Sequence, residues 1–448
     1  MLLFSIMSER NFPFDRKIGK QYCGRSAFKP STINIKMSIS KKIEFPDAHH
    51  HWNVRTPDAL LHQRRANLLA SVRAEGLEAI IVFGHGSVMG AGTKSHGALR
   101  YLSDWDGYES SSLLIVTPTQ TQLLVGSPFM LPMAQQQRGQ DTHVLYLKES
   151  LWGNYLRQQF PAQTRFGEIG LDEAPMRIGQ AIDSLSPHFT LVSVVSHLNT
   201  LRMFKDRFQL TLHAQAGALC DLLFSRLPLA LASGQPVWKI KESLESFARS
   251  QGADYCKTWL TVAACADYPR YWPYEGQHVP ERGDQVIFGI MLTIHGHWGH
   301  GIRMGALGKV QHRHHEMWEV IAAMMHSGIA ALRVGEVLSR AEDDMDKVFS
   351  VHFGAYETGL ISHFRNGHGL GFSYEEPLST DYFPQHFGNV DTARPAGSLT
   401  VAPDMLFELH PNVFIKDVGG CAIGEMVVTS HHGPQVLLTS PREILDWS

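Results

Sequence analysis

Residues Gly283 to Arg303, GDQVIFGIMLTIHGHWGHGIR, read as a β-hairpin. An apolar run from Val286 to Ile294 reaches the dipeptide His295-Gly296, and a second run from His297 to Arg303 leads back. A two-residue hairpin turn needs positive φ, which glycine adopts without steric cost. With His295-Gly296 as the turn, Gly289 faces Ile302 and Met291 faces His300. Side chains alternate along a strand, so these four share one face, with Gly289 and His300 as diagonal neighbours.

The chain around this hairpin is 448 residues long, enough for two domains with substantial cores. Its 44% apolar and 19% charged content is that of a globular protein. A net charge of −3 and a pI near 6.8 give no reason to expect a nucleic-acid or anionic-membrane partner. No apolar run reaches the length of a membrane span. The five cysteines are scattered, odd in number and without CxxC spacing, which implies a reducing, cytoplasmic setting. Histidine is abundant, at 25 residues, so a histidine at any one place carries less weight than usual. The groups His49-His50-His51 and His312/His314/His315 read as solvated surface.

Residues 1–45 mix Lys, Arg, Pro and Ser without a period and read as a disordered extension, with Met1, Met7 and Met37 as alternative starts. From Thr56 onward the pattern is regular. Helices are expected over Pro57 to Glu75, Leu151 to Phe160 and Met176 to Leu185. Strands are expected over Ala79 to Phe83, Ser112 to Thr117, Thr121 to Val125, Arg165 to Leu171 and Phe189 to Val195. This alternation predicts a three-layer α/β domain over 46–201, and no phosphate-binding glycine motif accompanies it. Arg202-Met203-Phe204-Lys205 opens a long helical stretch. Trp238 to Arg249 is a further helix, and Gln311 to Val348 is helical with a break at Gly335. The segments HFRNGHGLGF (from His363), EEP (from Glu375), PDMLFELHPNVF (from Pro403) and GGCAIGEMVVT (from Gly419) follow.

RMFK with its following helix, GD before the hairpin, the spacing from Gly289 to His300, GHGLGF, EEP, DMLFELHP and AIGEMVV together resemble the peptidase M24 superfamily of methionine and Xaa-Pro aminopeptidases, prolidases and creatinases. The resemblance covers roughly residues 55–440. It implies an α+β architecture: a creatinase-type N-terminal domain over 46–201 and a pita-bread domain over 202–448, usually a homodimer. In metallopeptidase members two metals are held by Asp, Asp, His, Glu and Glu. Position by position, these fall at Gly289, His300, His368, His410 and Gly424, so one ligand of five survives as itself. Creatinase fits no better, since its general-base histidine falls at Arg270 and its substrate-binding glutamates at Ile302 and His410.

Three of the five positions are nonetheless histidine. His300, His368 and His410 would converge in the family fold as a site for one divalent metal (Zn, Fe or Mn), or would work without metal. Catalytic roles are expected for His368, His410 and Glu375, and substrate contacts for Arg270, Tyr271, Arg303, Glu376 and Glu425. The expected function is a divergent M24-type hydrolase or lyase acting on a small C–N or amide-like metabolite. A catalytically inactive scaffold binding a ligand or partner is the alternative, with a conventional Xaa-Pro aminopeptidase behind it.

Overall fold

The computed structural model describes residues 54–447, apart from 91, 138, 186, 268–275, 355–359, 387–394 and 396. The expected disordered extension over 1–45 lies outside the described residues.

The N-terminal part is a sheet between two helical layers. Strands β1 (Ala79–Gly84), β2 (Ser112–Val116), β3 (Thr121–Val125), β4 (Thr142–Tyr146), β5 (Arg165–Ile169) and β6 (Thr190–Ser193) line up as β4-β3-β2-β1-β5-β6. The β1–β2 and β2–β3 pairs are antiparallel, and β3–β4, β1–β5 and β5–β6 are parallel. Every residue of β1 is buried, as a strand covered on both faces must be. Ile80 and Val82 pack on the layer of α1 (Asp58–Val72), α2 (Lys94–Ser103) and the later helix Val195–Met203. Ala79, Ile81 and Phe83 pack on α3 (Trp152–Gln159) and α4 (Met176–Asp183). The helix expected to stop at Gly76 does so through a 3-10 turn, with Gly76 at φ 70°.

One expectation shifts at the junction. RMFK does not open the long helix: α5 (Val195–Met203) ends inside it. The long helix α6 (Arg207–Leu231) starts only after Asp206, whose side chain accepts from Gln209 N while the Gln209 side chain accepts from Asp206 N. That reciprocal pair satisfies two otherwise orphaned donors and sets the true start.

Beyond it lie α7 (Val237–Ser250), β7 (Tyr255–Ala263), β8 (Gln285–Ile294) and β9 (His297–Ala306). The β8–β9 register is the one read from the sequence, with Gly289 opposite Ile302 and Met291 opposite His300. His295 and Gly296 both have positive φ, 48° and 74°, as a primed turn requires. Even-numbered residues of β8 (Val286, Phe288, Ile290, Leu292) pack with α6 and α7. On the opposite face, Ile287, Ile302 and Met304 pack with α8 (His312–Ala331) and α9 (Ser339–Phe353). Gly335, at φ 94°, sits in the break between those two helices. Gly289 and His300 therefore belong to the α8/α9 face.

The rest of that face is closed by β10 (Ile361–Ser362), β11 (Gly367–Gly369), β12 (Leu406–Leu409), β13 (Asn412–Ile415), β14 (Gly419–Ala422), β15 (Glu425–Val428), β16 (Gln435–Val436) and β17 (Leu445–Asp446). Their sheets run β11-β12-β15-β16, β10-β13-β14 and β17-β9-β8-β7, and an antiparallel bridge joins Ile302 to Gly424.

The hairpin tip rests on the N-terminal layer. His295 Nε2 lies 3.1 Å from Asp104 Oδ1, and Gly296 N donates to Asp254 Oδ2 at 2.7 Å. A Cβ on Gly296 would lie 2.6 Å from Arg100 Nε. No helix among the described residues is long and apolar enough to cross a membrane.

Candidate functional site

Three strands bring the histidines together. His300 is on β9, His368 is the middle residue of β11, and His410 follows β12 directly. Their ring centroids lie 5.7 Å (His300–His368), 5.9 Å (His300–His410) and 5.3 Å (His368–His410) apart. Tyr374 closes one side, its ring 4.8 Å from that of His368 and its hydroxyl 3.2 Å from His300 Nδ1.

Sequence reasoning passed over Glu408. In the antiparallel β11–β12 pair His368 is opposite Glu408, and directly opposed residues share a face. Glu408 Oε1 comes within 3.5 Å of His300 Nδ1. The signal available was a glutamate inside the otherwise apolar run Leu406-Phe407-Glu408-Leu409. Gly424 explains how it fits: a Cβ at that position would lie 2.5 Å from Glu408 Oε1. A carboxylate reaching in from β12 thus fills the space a side chain on residue 424 would take.

The cluster is deeply buried and uncharged. His300, His368, His410 and Glu408 are at most 5% exposed. Burial, reinforced by His368, drives the His300 imidazole well below its ordinary pKa; burial with both neighbouring imidazoles does the same to His410. Burial also lowers His368, partly opposed by the charge of Glu375. Burial and the nearby Glu425 push the Glu408 carboxyl well above the carboxylate range, against the pull of Arg303. The result is three neutral imidazoles beside a protonated acid.

His368 Nδ1 donates to Gly369 O at 2.9 Å, which leaves Nε2 as the lone-pair nitrogen. That nitrogen, His410 Nδ1 and both oxygens of Glu408 are buried without a hydrogen-bond partner. Orphaned polar atoms at this density call for an explanation. Two metals do not fit here, because Gly289 and Gly424 carry no ligand and one carboxyl cannot bridge and neutralise two cations. One divalent ion fits the chemistry of the donor set, imidazole nitrogens with a carboxylate. The imidazoles are not arranged tightly around a common point, however. The group of donors lying within 4.8 Å of one another among the described residues is elsewhere, at Asp346, His363 and His386.

The other predicted residues divide. Arg303 is 1% exposed and committed to the fold. It donates to Ile302 O, Gly424 O, Ser440 O and Glu425 Oε1. Glu425 is held between Arg303 and Arg442, each at 2.8 Å. Glu376 is buried in an ion pair with Arg202 at 2.9 Å. These three therefore have structural partners where substrate contacts were expected, because each charge was buried with a neutralising mate. Glu375 is half exposed and pairs with Arg365 at 3.0 Å. Arg270 and Tyr271 lie outside the described residues. In the His312/His314/His315 group, His314 departs from the surface reading: it is buried, with Nε2 at 2.7 Å from Gly420 O.

Residues 211–431 match the model of metallopeptidase family M24. The chain is 22% identical over 255 residues to the uncharacterized peptidase YqhT of Bacillus subtilis, covering 57% of this chain and 67% of that protein. Other curated relatives are spanned over 62 to 65% of their length. Among solved structures, an X-Pro aminopeptidase from Thermotoga maritima superposes with a TM-score of 0.67 at 16% identity, over 84% of this chain and 99% of that one. A prolidase from Pyrococcus horikoshii gives 0.70 at 13% identity, over 86% and 100%. The N-terminal domain of the FACT complex subunit SPT16 from chickpea, Cicer arietinum, gives 0.63 at 13% identity, over 85% and 96%. These likenesses establish the fold: a creatinase-type N-terminal domain followed by a pita-bread domain.

Proposed function

We propose, for a chain that belongs to the M24 superfamily without its carboxylate ligand set, a divergent M24-type hydrolase or lyase acting on a small C–N or amide-like metabolite. Peptidase and prolidase relatives support the hydrolase class. The observation that carries the finer reading is the convergence of four unpartnered buried atoms: His368 Nε2, His410 Nδ1 and both oxygens of Glu408. In this reading His368 Nε2 accepts a proton from the attacking water or from a substrate C–H and returns it to the departing nitrogen, its tautomer fixed by Gly369 O. Glu408, kept protonated by burial, donates a hydrogen bond to a carbonyl or leaving group. His300 and His410 stand beside them as neutral dipoles, and the half-exposed Glu375, paired with Arg365, is the nearby carboxylate that reaches solvent. His300, His368, His410 and Glu408 would hold a divalent cation (Zn, Fe or Mn) if one binds; it would acidify a bound water or polarise a carbonyl. The protein works on a soluble small molecule, in a reducing compartment, as a homodimer.

The test is a thermal-shift and turnover screen of small amides, amidines and N-acyl amino acids, with metal content measured in parallel. A ligand that stabilises the wild type and is turned over, with turnover lost in His368→Ala, supports the reading. Chelator-sensitive cleavage of Xaa-Pro dipeptides, unaffected by His368→Ala, would overturn it.

A second reading, an inactive ligand- or partner-binding scaffold, is favoured by one observation: the whole cluster is closed from solvent. Stabilisation by a ligand with no turnover would select it.

A further inference from the structure

A second constellation lies away from the family's ligand positions. On α9, Glu342 and Asp346 are four residues apart and share one helix face. Two neighbouring carboxylates on a helix repel unless something positive sits between them. Facing them are His363, just after β10, and His386, after the 3-10 turn Thr380–Tyr382. His386 Nε2 is 2.6 Å from Glu342 Oε1 and 3.5 Å from Asp346 Oδ1. The His363 and His386 rings are 4.8 Å apart. One donor atom each from Asp346, His363 and His386 lies within 4.8 Å of the others.

Two further observations point to a ligand. Glu342 is wholly buried, and its Oε2 has no hydrogen-bond partner; Asn366, which donates to Glu342 Oε1 at 3.0 Å, has its own buried Oδ1 unpartnered. His363 is also set up as a ligand. Its Nδ1 hydrogen goes to Asn412 O, so Nε2 carries the lone pair. A carbonyl fixing the far nitrogen of a metal-bound histidine is the usual outer-shell arrangement.

We propose that Glu342, Asp346, His363 and His386 bind one divalent first-row cation, with zinc as the best match to two imidazoles and two carboxylates. Two such charges balance the cation, and nitrogen donors disfavour magnesium and calcium. Asp346 and His386 keep partial solvent access, 31% and 12% of their side chains, which gives the ion a way in. The cation ties α9 to the segment entering the His368 strand. It also stands one residue pair behind the histidine cluster, since Asn366 O accepts from His410 N and Asn412 Nδ2 donates to His410 O. It is a clamp for the site, not part of it.

The experiment strips the full-length protein with chelator and titrates it with Zn²⁺ and, for its visible spectrum, Co²⁺. One equivalent is expected in the wild type and equally in the His368→Ala/His410→Ala double variant, with a rise in Tm. Asp346→Asn and His386→Gln should each lose ten-fold or more in affinity while keeping the metal-free Tm and circular dichroism of the wild type. Asp346→Asn is a partly exposed helix position, so it remains informative if the buried variant misfolds. No binding by the wild type, or binding unaltered in both Asp346→Asn and His386→Gln, overturns the proposal. So does binding lost in the double variant and retained in Asp346→Asn, an outcome that assigns the metal to the histidine cluster and leaves the proposed hydrolase intact.

Discussion

Glu408 stands where a side chain on Gly424 would begin: an ideal Cβ at Gly424 would lie 2.5 Å from Glu408 Oε1. The same Cβ would lie 2.5 Å from Ile302 N, which is backbone and cannot swing away. Gly424→Ala is therefore expected to destabilise by about 1–3 kcal/mol through overpacking. At Gly289 a Cβ would meet only ordinary contacts, 3.5 Å to Trp259 and 3.6 Å to Ile302. Gly289→Ala should fall within roughly 1 kcal/mol of wild type. Urea unfolding of the two variants checks the contrast, and equal costs would refute it.

Stability should fall as pH drops through the range where free histidine titrates. His213 (held to about 3), His300 and His410 are buried neutral. Their folded pKa lies below the unfolded value of about 6.5, so below that pH the unfolded chain binds protons that the folded one refuses. Each such imidazole removes about 1.4 kcal/mol between pH 7.5 and 5.5. In metal-stripped protein, His300→Asn/His410→Asn should flatten the pH profile by about twice that amount. An unchanged slope would show that these rings titrate in the fold as they do in the unfolded chain.

Glu408 acts in the opposite sense. Its folded pKa is raised, so the stability tied to its proton is present at low pH and lost as pH rises above the unfolded value. Glu408→Gln, a neutral isostere, should gain on the wild type as pH rises above the unfolded carboxyl value of about 4.3. Parallel Tm curves for the two proteins would contradict this.

The Arg202–Glu376 pair is buried on both sides and spans the two halves of the fold, with Arg202 also donating to Ser373 at 2.8 Å. Removing one partner strands a buried charge. Glu376→Gln should cost about 3–5 kcal/mol and raise hydrogen exchange in the segment from Leu370 to Ser379. Replacing both partners by apolar residues should cost less than either single change.

Much of the fold was legible because it rests on period and turn chemistry. The hairpin register followed from His295-Gly296, and the N-terminal strands from buried runs bounded by Gly and Pro. The start of α6 was misplaced because RMFK looks helical, while the deciding signal was the polar pair Asp206 and Gln209. The convergence of His300, His368 and His410 came through the family resemblance. Glu408 was missed because its role depends on a cross-strand partner: nothing local in ELHP says that Glu408 opposes His368. Arg303, Glu376 and Glu425 were drawn toward substrate because charge in a site-bearing segment suggests ligand. Burial instead matched each to a mate whose position no local pattern records. The Glu342–His386 pairing brings together residues 44 apart in sequence, beyond any periodicity.

The docked tip of the hairpin makes β8 and β9 a lever. His295 and Gly296 are gripped by Asp104 and Asp254, and His300 rides the same stiff ribbon a few residues along. A tilt of the N-terminal layer at Asp104 would pull on the ribbon that carries His300, while His368 and His410 hang from a different sheet. Mechanical coupling of this kind means that the spacing of the histidine cluster can be tuned from the far end of the ribbon, by mutations that never touch the pocket.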